Sequence, residues 1–189
     1  MRAAIRTFIA VEISPEVRAR AGQLMARLGE SGAKVKWVEP HNLHLTLKFL
    51  GDVDARDLPA VCGVVAEAVR DVPAFEIEFL GAGAFPAAVR PRTLWLGVGR
   101  GSEGLIEVHE RLERQLAGLG FRREGRRFQP HLTIGRVRSE ATGELGGRIA
   151  ALGSFAGGVS CVDEVVVFSS ELAREGPTYE RMFQAPLEG

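Results

Sequence analysis

Cysteine and histidine are both scarce in this 189-residue chain, which has two of the first, Cys62 and Cys161, and four of the second. Two isolated cysteines supply neither a disulfide framework nor a zinc cluster, and they read as small buried apolar residues. Net charge is missing as well, since 24 Lys and Arg face 24 Asp and Glu. A nucleic-acid partner must therefore be met by a local basic patch and not by a global field. No stretch reaches the ~20 apolar residues of a membrane span. The first apolar run is interrupted by Arg6 and Glu12 and fails as a signal peptide. No H-E-x-x-H, P-loop, G-x-G-x-x-G or G-x-S-x-G pattern occurs in a fitting context. These absences point to a cytoplasmic protein that avoids membranes and carries its chemistry on other groups. The chain has a mass of 20.4 kDa and is 46% hydrophobic, which suits one compact domain or two small lobes sharing a core.

Strands and helices alternate along it. "RTFIAVEI" (6–13) has strand composition, and Ser14-Pro15 then resembles a helix N-cap followed by proline at the first helical position. Val17, Leu24 and Leu28 fall on one helical face, and Gly32 supplies a stop. "KVKWV" (34–38) and "HLTLKFL" (44–50) read as strands separated by Pro40. A helix over 57–70 carries Val61, Val65 and Val69 in register, and "FEIEFLG" (75–81) alternates as a half-buried strand does. "GAGAFPAAVRPR" (81–92) reads as the longest irregular loop. Then follow a strand at 93–98, a helix over 102–119, the strand "HLTIGRV" (131–137) and a weaker helix carrying Leu145, Ile149 and Leu152. A buried strand "DEVVVFSSEL", a turn "REGPT" and a closing strand "YERMFQAPL" complete the chain.

Two of the four histidines begin the same tripeptide, His-Leu-Thr, at His44 and His131. Each copy is preceded by a helix, a basic segment with an aromatic and a proline, and is followed by a helix and another strand. This is the pattern of a divergent internal duplication, two α+β lobes about a pseudo-two-fold axis. Alternation puts His44, Thr46 and Lys48 on one face, opposite Leu45, Leu47 and Phe49. His131 and Thr133 likewise oppose Leu132 and Ile134. The apolar faces bury each strand against its helices, leaving the His and Thr side chains for a shared cleft.

Two imidazoles on one cleft suit general acid–base chemistry near neutral pH, one taking a proton from water and the other giving one to a leaving oxygen. Two threonine hydroxyls beside them can donate to non-bridging phosphate oxygens. A phosphodiester needs that set. His41 lies i, i+3 from His44, but Pro40 and Asn42 put it in a loop and not in a metal pair. His109 falls on the apolar stripe of its helix and reads as structural. Arg122, Arg123, Arg126 and Arg127 lead into the second motif with Phe128, and Lys36 and Trp37 lead into the first. Cation beside aromatic can hold a phosphate and stack a base.

On the segments "RTFIAVEIS", "WVEPHNLHLTLKFLG", "RRFQPHLTIGRV" and "VVVFSSELAREGPTYE", the chain resembles the two-histidine phosphoesterase superfamily. It is similar in particular to the bacterial and archaeal RNA 2′,3′-cyclic phosphodiesterases, also called 2′-5′ RNA ligases. The resemblance covers nearly the whole chain. It implies a bilobal α+β fold with two antiparallel sheets flanked by helices around a cleft. It also implies metal- and cofactor-free opening of RNA 2′,3′-cyclic phosphate ends, or of cyclic nucleotides, to a 2′-phosphate by a monomer. His44 matches the family's proton donor, His131 its proton acceptor, and Thr46 and Thr133 its phosphate-binding threonines. Arg126, Phe128 and Arg136 match positions around the second motif that are often Arg, Phe and Arg. Strict alternation sets Arg136 opposite His131, and a bulge near Gly135 is what would turn it toward substrate.

Two alternatives remain at the level of sequence. The same site run in reverse joins a cyclic end to a 5′-hydroxyl, which is ligation. A non-catalytic RNA-end binding module would need cations more than two titrating imidazoles. The absence of a ligand cluster predicts that turnover of a 2′,3′-cyclic nucleotide survives EDTA. Loss in chelator, restored by a divalent ion, would contradict it.

Overall fold

The computed structural model describes residues 4–139, 143–173 and 176–188. Its elements are β1 (Ala4–Val11), α1 (Pro15–Gly29), β2 (Val35–Trp37), β3 (Leu45–Asp54), α2 (Leu58–Val69), β4 (Phe75–Ala87), β5 (Arg90–Val98), α3 (Ser102–Ala117), β6 (His131–Val137), α4 (Gly143–Ala151), β7 (Ala156–Val162), β8 (Glu164–Leu172) and β9 (Pro177–Pro186). They form two antiparallel sheets, in the orders β3-β1-β8-β9 and β2-β6-β5-β4-β7. The fold is α+β with two lobes, as expected.

The lobes are not the two halves of the chain. β2 comes from the first half and pairs with β6 in the second sheet, while β8 and β9 return from the far end to complete the first. The helices are exchanged as well. α1 follows β1 and leads through β2 to β3, yet packs on β6, β7 and α4. α3 connects β5 to β6 yet packs on β3 and α2. Each motif strand is therefore backed by the helix that leads into the other motif. One apolar core runs through both lobes, joining Ile9 and Leu45 of the first sheet to Leu94 and Leu132 of the second.

Local chemistry accounts for the elements. Ser14 caps α1 by accepting from the Val17 amide at 3.2 Å, Pro15 starts the helix, and Val17, Ala21, Leu24 and Leu28 bury one face. The Ser14 hydroxyl also donates to the Val159 carbonyl of β7 at 2.8 Å, which fixes the helix on the second sheet. The segment expected to be a loop is the β4–β5 hairpin, with only residues 88 and 89 at its tip. Its glycines and proline suggested breaks, but Gly83 is where the Trp95 indole lies. A Cβ at Gly83 would sit 2.1 Å from that ring. β7 had no signal, because "AGGVSCV" mixes small and polar residues without alternation. The turn expected over "REGPT" includes Arg174 and Glu175, which lie outside the described residues.

Both motif strands carry an extra residue next to the threonine, and β3 carries another, Leu50, between the Thr7–Gly51 and Phe8–Phe49 pairs. In β3, Ala10 pairs with Thr46 and Ile9 with Lys48, so Leu47 is inserted. In β6, Trp95 pairs with Thr133 and Leu94 with Gly135, so Ile134 is inserted. Two successive residues then face inward at each place. Lys48 consequently does not share the face of His44 and Thr46. It is 3% exposed, with its ammonium on the Glu113 carboxylate of α3 and on the Arg122 carbonyl at 3.1 Å. Burial works against the Glu113 charge. Hydrogen bonds from Lys48 and the Glu124 amide, with the charge on Lys48, overcome it and hold the carboxyl below its ordinary range.

Removing one partner of a buried ion pair strands the other charge, at a cost of about 3–5 kcal/mol. Lys48→Met should lower unfolding stability by that order in urea titrations, and Lys48→Met with Glu113→Leu should recover most of it. A single substitution that costs nothing would contradict this account of the pair.

Candidate active site

A cavity of about 360 Å³ lies between the two sheets. Sheet one contributes His44, Thr46 and Tyr179, and sheet two contributes Thr133 and Arg136 with Lys36 and Trp37 from β2. His44 is half-buried on an aromatic bed. Its ring lies 4.8 Å from Phe8, 6.2 Å from Phe168 and 5.1 Å from Tyr179, the last edge-on at 89°. His131 is also half-buried, with Phe85 edge-on at 5.0 Å and Trp95 at 6.3 Å. It sits two residues along the strand from Thr133, which lines the cavity; His131 itself does not line it.

The two imidazoles are held in the same way. The Nδ1 of His44 is 2.7 Å from the Asn42 carbonyl, and the Nδ1 of His131 is 2.7 Å from the Gln129 carbonyl. A carbonyl only accepts, so Nδ1 carries the proton in both rings and Nε2 is the working nitrogen. Asn42 is itself buried and donates from its side chain to the Pro177 carbonyl at 2.9 Å. The start of β9 thereby fixes the carbonyl that fixes His44. Burial lowers the pKa of both rings, more than the backbone hydrogen bonds raise it.

The cavity is electropositive at its rim. Arg6, Lys36, Arg136 and Arg138 line it, against the single acid Glu39. Burial raises the Tyr179 pKa above its ordinary value, against the pull of Arg136 and Arg6, so the phenol stays protonated. Among the described residues no group of three or more His, Cys, Asp or Glu side chains converges as metal ligands do.

The residues singled out in sequence fall into three sets. His44, Thr46, Thr133, Lys36, Trp37 and Arg136 line the cavity, or in the case of His131 flank it. Arg136 reaches it because the inserted Ile134 turns it outward, the bulge that the sequence reading required. Gly135 is buried at that point, and a Cβ there would come within 2.8 Å of Trp37. Lys48 has left the set, as described. Arg126, Arg127 and Phe128 form the third. The two arginines are exposed but not on this cavity, and Arg127 and Phe128 line a different pocket with Trp95 and Gln129. Phe128 stacks on His109 at 4.1 Å and 11°, so its ring serves packing and is not offered to a base. His109 is 5% exposed with Nδ1 2.9 Å from the Leu47 carbonyl, a structural histidine. His41 lies in the short 3-10 turn Pro40–Asn42. Sequence reasoning missed Phe8, Tyr179, Arg6, Arg138 and Phe49. Phe8, Arg6 and Tyr179 come from strands without a motif, and Arg138 lies just past the end of β6. Phe49 was assigned to the buried face by an alternation that the bulge interrupts.

The model of the 2′-5′ RNA ligase superfamily matches residues 15–149, which include both motifs. The chain is 37% identical over 179 residues to the RNA 2′,3′-cyclic phosphodiesterase of Methanothermobacter thermautotrophicus, covering 94% of this chain and 96% of that protein. It is 33% identical over 185 residues to the protein of the same name from Thermotoga maritima, covering 98% and 97%. Among solved structures, Escherichia coli LigT complexed with 3′-AMP has a TM-score of 0.81 at 28% identity, over 99% of this chain and 100% of that one.

Because both rings are desolvated when neutral groups surround them, His44 and His131 should titrate below the free imidazole value of ~6.5. Each should lose its proton at lower pH than an ordinary histidine as pH rises. Side-chain nitrogen NMR should show both with Nδ1 protonated in the neutral form. An Nε2–H neutral tautomer at either residue, or a raised midpoint, would overturn this electrostatic account.

Proposed function

The chain belongs to the 2′-5′ RNA ligase superfamily, and from that premise we propose that it hydrolyses RNA 2′,3′-cyclic phosphate ends to 2′-phosphates. The observation that carries the proposal is the duplicated imidazole, each ring with Nδ1 on a carbonyl and each followed by a threonine on the same face. The cyclic phosphate sits against the Thr46 and Thr133 hydroxyls, with Arg136 and Lys36 neutralising charge on the substrate side. Trp37 walls the same side. His131 takes a proton from water at Nε2 as the water oxygen attacks phosphorus. The P–O3′ bond breaks, and O3′ leaves with the proton that His44 holds on its own Nε2. The Nδ1–H bond to Gln129 favours the imidazolium that forms on His131.

Desolvation suits the base, which must start neutral. It also makes His44 a stronger acid, and the arriving anionic phosphate favours the protonated ring that donation needs. The alkaline limb of kcat/KM, a free-protein quantity, should therefore lie at lower pH than the alkaline limb of kcat. A 5′-hydroxyl RNA end attacking in place of water would expel the same O3′ and leave a 2′-5′ linkage at the same site, the ligase activity in the superfamily's name. The continuous core supports one two-lobed domain acting as a monomer. No described helix is long and apolar enough to cross a membrane, and we place the activity in the cytoplasm.

Replacing either histidine by Ala should cost roughly 10²–10⁴ in rate, and the double mutant should lose less than the product of the two. His44→Ala should lose less with a substrate whose leaving oxygen needs no proton, whereas His131→Ala should not. Rescue of His131→Ala instead would reverse the roles. Product analysis on adenosine 2′,3′-cyclic phosphate, with and without 5′-hydroxyl RNA, separates hydrolysis from ligation. Binding without turnover would refute the enzyme reading.

A further inference from the structure

The segment that delivers His131 contains no helix or strand from Phe121 to Pro130, yet its end must hold the ring. Gln129, whose carbonyl binds the His131 Nδ1, is exposed. Among the described residues its side chain makes no hydrogen bond to another protein group, whereas Asn42, the equivalent residue before His44, is bonded to the Pro177 carbonyl. Pro130 on one side of Gln129 has no amide proton to anchor it. On the other side is Phe128. The bonds that tie the segment down run to one face of α3 and to the back of β3. The Phe121 amide donates to the Leu116 carbonyl at 3.2 Å, Lys48 to the Arg122 carbonyl, and the Glu124 amide to Glu113. Nearest to His131 is the stack of Phe128 on His109, at 4.1 Å and 11°. His109 and Glu113 stand i, i+4 on α3 and so share a face. His109 is 5% exposed, and its Nδ1 donates to the carbonyl of Leu47, the residue inserted beside Thr46. One buried ring is thus bonded to the backbone of the first motif and stacked on the residue before Gln129.

Resting on the hydrolase reading above, we propose that His109 is a positioning residue for His131. Through its stack on Phe128 it fixes the Gln129 carbonyl, and that carbonyl selects the tautomer and the direction of the base. His109 touches neither substrate nor reacting atoms. Its bond to Leu47 refers the place of His131 to the strand that carries His44 and Thr46. The distance between acid and base is then set inside the protein, by a buried imidazole that takes no part in proton transfer. A displacement of about 1 Å at a reacting group can cost roughly 10² in rate, so a contact this far from the chemistry has a kinetic consequence.

The test uses the whole protein with isotope-labelled histidine, side-chain nitrogen NMR and turnover of adenosine 2′,3′-cyclic phosphate, each variant being measured below its unfolding midpoint. His109→Asn keeps a donor near the place of Nδ1 and removes the ring. Phe128→Leu removes the other half of the stack. His109→Phe keeps the stack and removes the donor. His109→Asn and Phe128→Leu should each bring up the Nε2–H form of neutral His131, while His44 keeps Nδ1–H. Each should lower kcat by roughly 10- to 100-fold with KM unchanged, because the groups that hold the substrate have not moved. The two together should cost no more than the larger single loss, since both break one contact. His109→Phe should keep the wild-type tautomer at His131, at a cost in stability for the unpaired Leu47 carbonyl. If His109→Asn fails to fold, Phe128→Leu, at a half-buried ring, carries the same test. Wild-type His131 spectra and kcat in the variants that lose the stack, whatever their loss of stability, would overturn the assignment. So would an equal change at His44. The spectra need no turnover, so inactivity of the wild-type protein on cyclic phosphates would count against the hydrolase reading alone.

Discussion

The residue inserted next to the threonine of each motif strand sets the shape of the cleft. Without Leu47 and Ile134, alternation would send Phe49 and Arg136 into the core and bring Lys48 out beside Thr46. With them, each strand presents His, Thr and then a third outward residue, while two inward residues lock the strand to what lies behind. In β6 the second inward residue is Gly135, which makes room for Trp37. In β3 it is Lys48, and a buried ammonium demands a counter-ion. Glu113 of α3 provides it, and the same carboxylate accepts from the Glu124 amide at 2.9 Å.

That requirement connects the two halves of the site. α3 leads into the second motif, but it is fastened to the back of the first. Lys48 and Leu47 hold Glu113 and His109, and those in turn hold Glu124 and Phe128 of the segment that delivers His131. α1 makes the converse attachment through Ser14 to β7 of the second sheet. Two imidazoles on separate sheets must keep a fixed separation to act on one phosphate, and near-attack geometry tolerates little displacement. Exchanged helices over a continuous core supply that rigidity.

The motif pair was legible because its chemistry is rare: two of four histidines, in one tripeptide, with the same faces buried. Helices α1, α2 and α3 were legible from their apolar spacing and, for α1, from Ser14-Pro15. What stayed hidden depends on tertiary pairing. A bulge leaves no mark in the sequence when the inserted residue is an ordinary Leu or Ile, so Lys48 and Phe49 were given each other's faces. The membership of β2 in the second sheet is decided by Trp37 against Gly135, a contact between residues far apart in the chain. The hairpin over Gly81–Arg92 looked irregular because Gly83 is there to accommodate Trp95, a reason outside its own segment. Arg126 and Arg127 drew attention by charge, but the cations of the cleft are spread over β1, β2 and β6 and form no run.

The resulting site is a cationic slot lined by the first imidazole and a threonine from each sheet, with the second imidazole at its flank and both rings fixed in one tautomer by backbone carbonyls. The carbonyls that orient each ring are already bonded to it, and Asn42 is itself held by the Pro177 carbonyl. The central claim is that the two imidazoles address opposite apices of one phosphorus. The most direct measurement is the structure of a complex with a nucleoside 2′,3′-cyclic vanadate, whose five-coordinate vanadium stands in for phosphorus in flight. The account predicts His44 Nε2 within hydrogen-bond reach of O3′, His131 Nε2 within reach of the apical water oxygen, and both threonine hydroxyls on equatorial oxygens. Both histidines on the same apex, or either one out of reach of an apical oxygen, would contradict it.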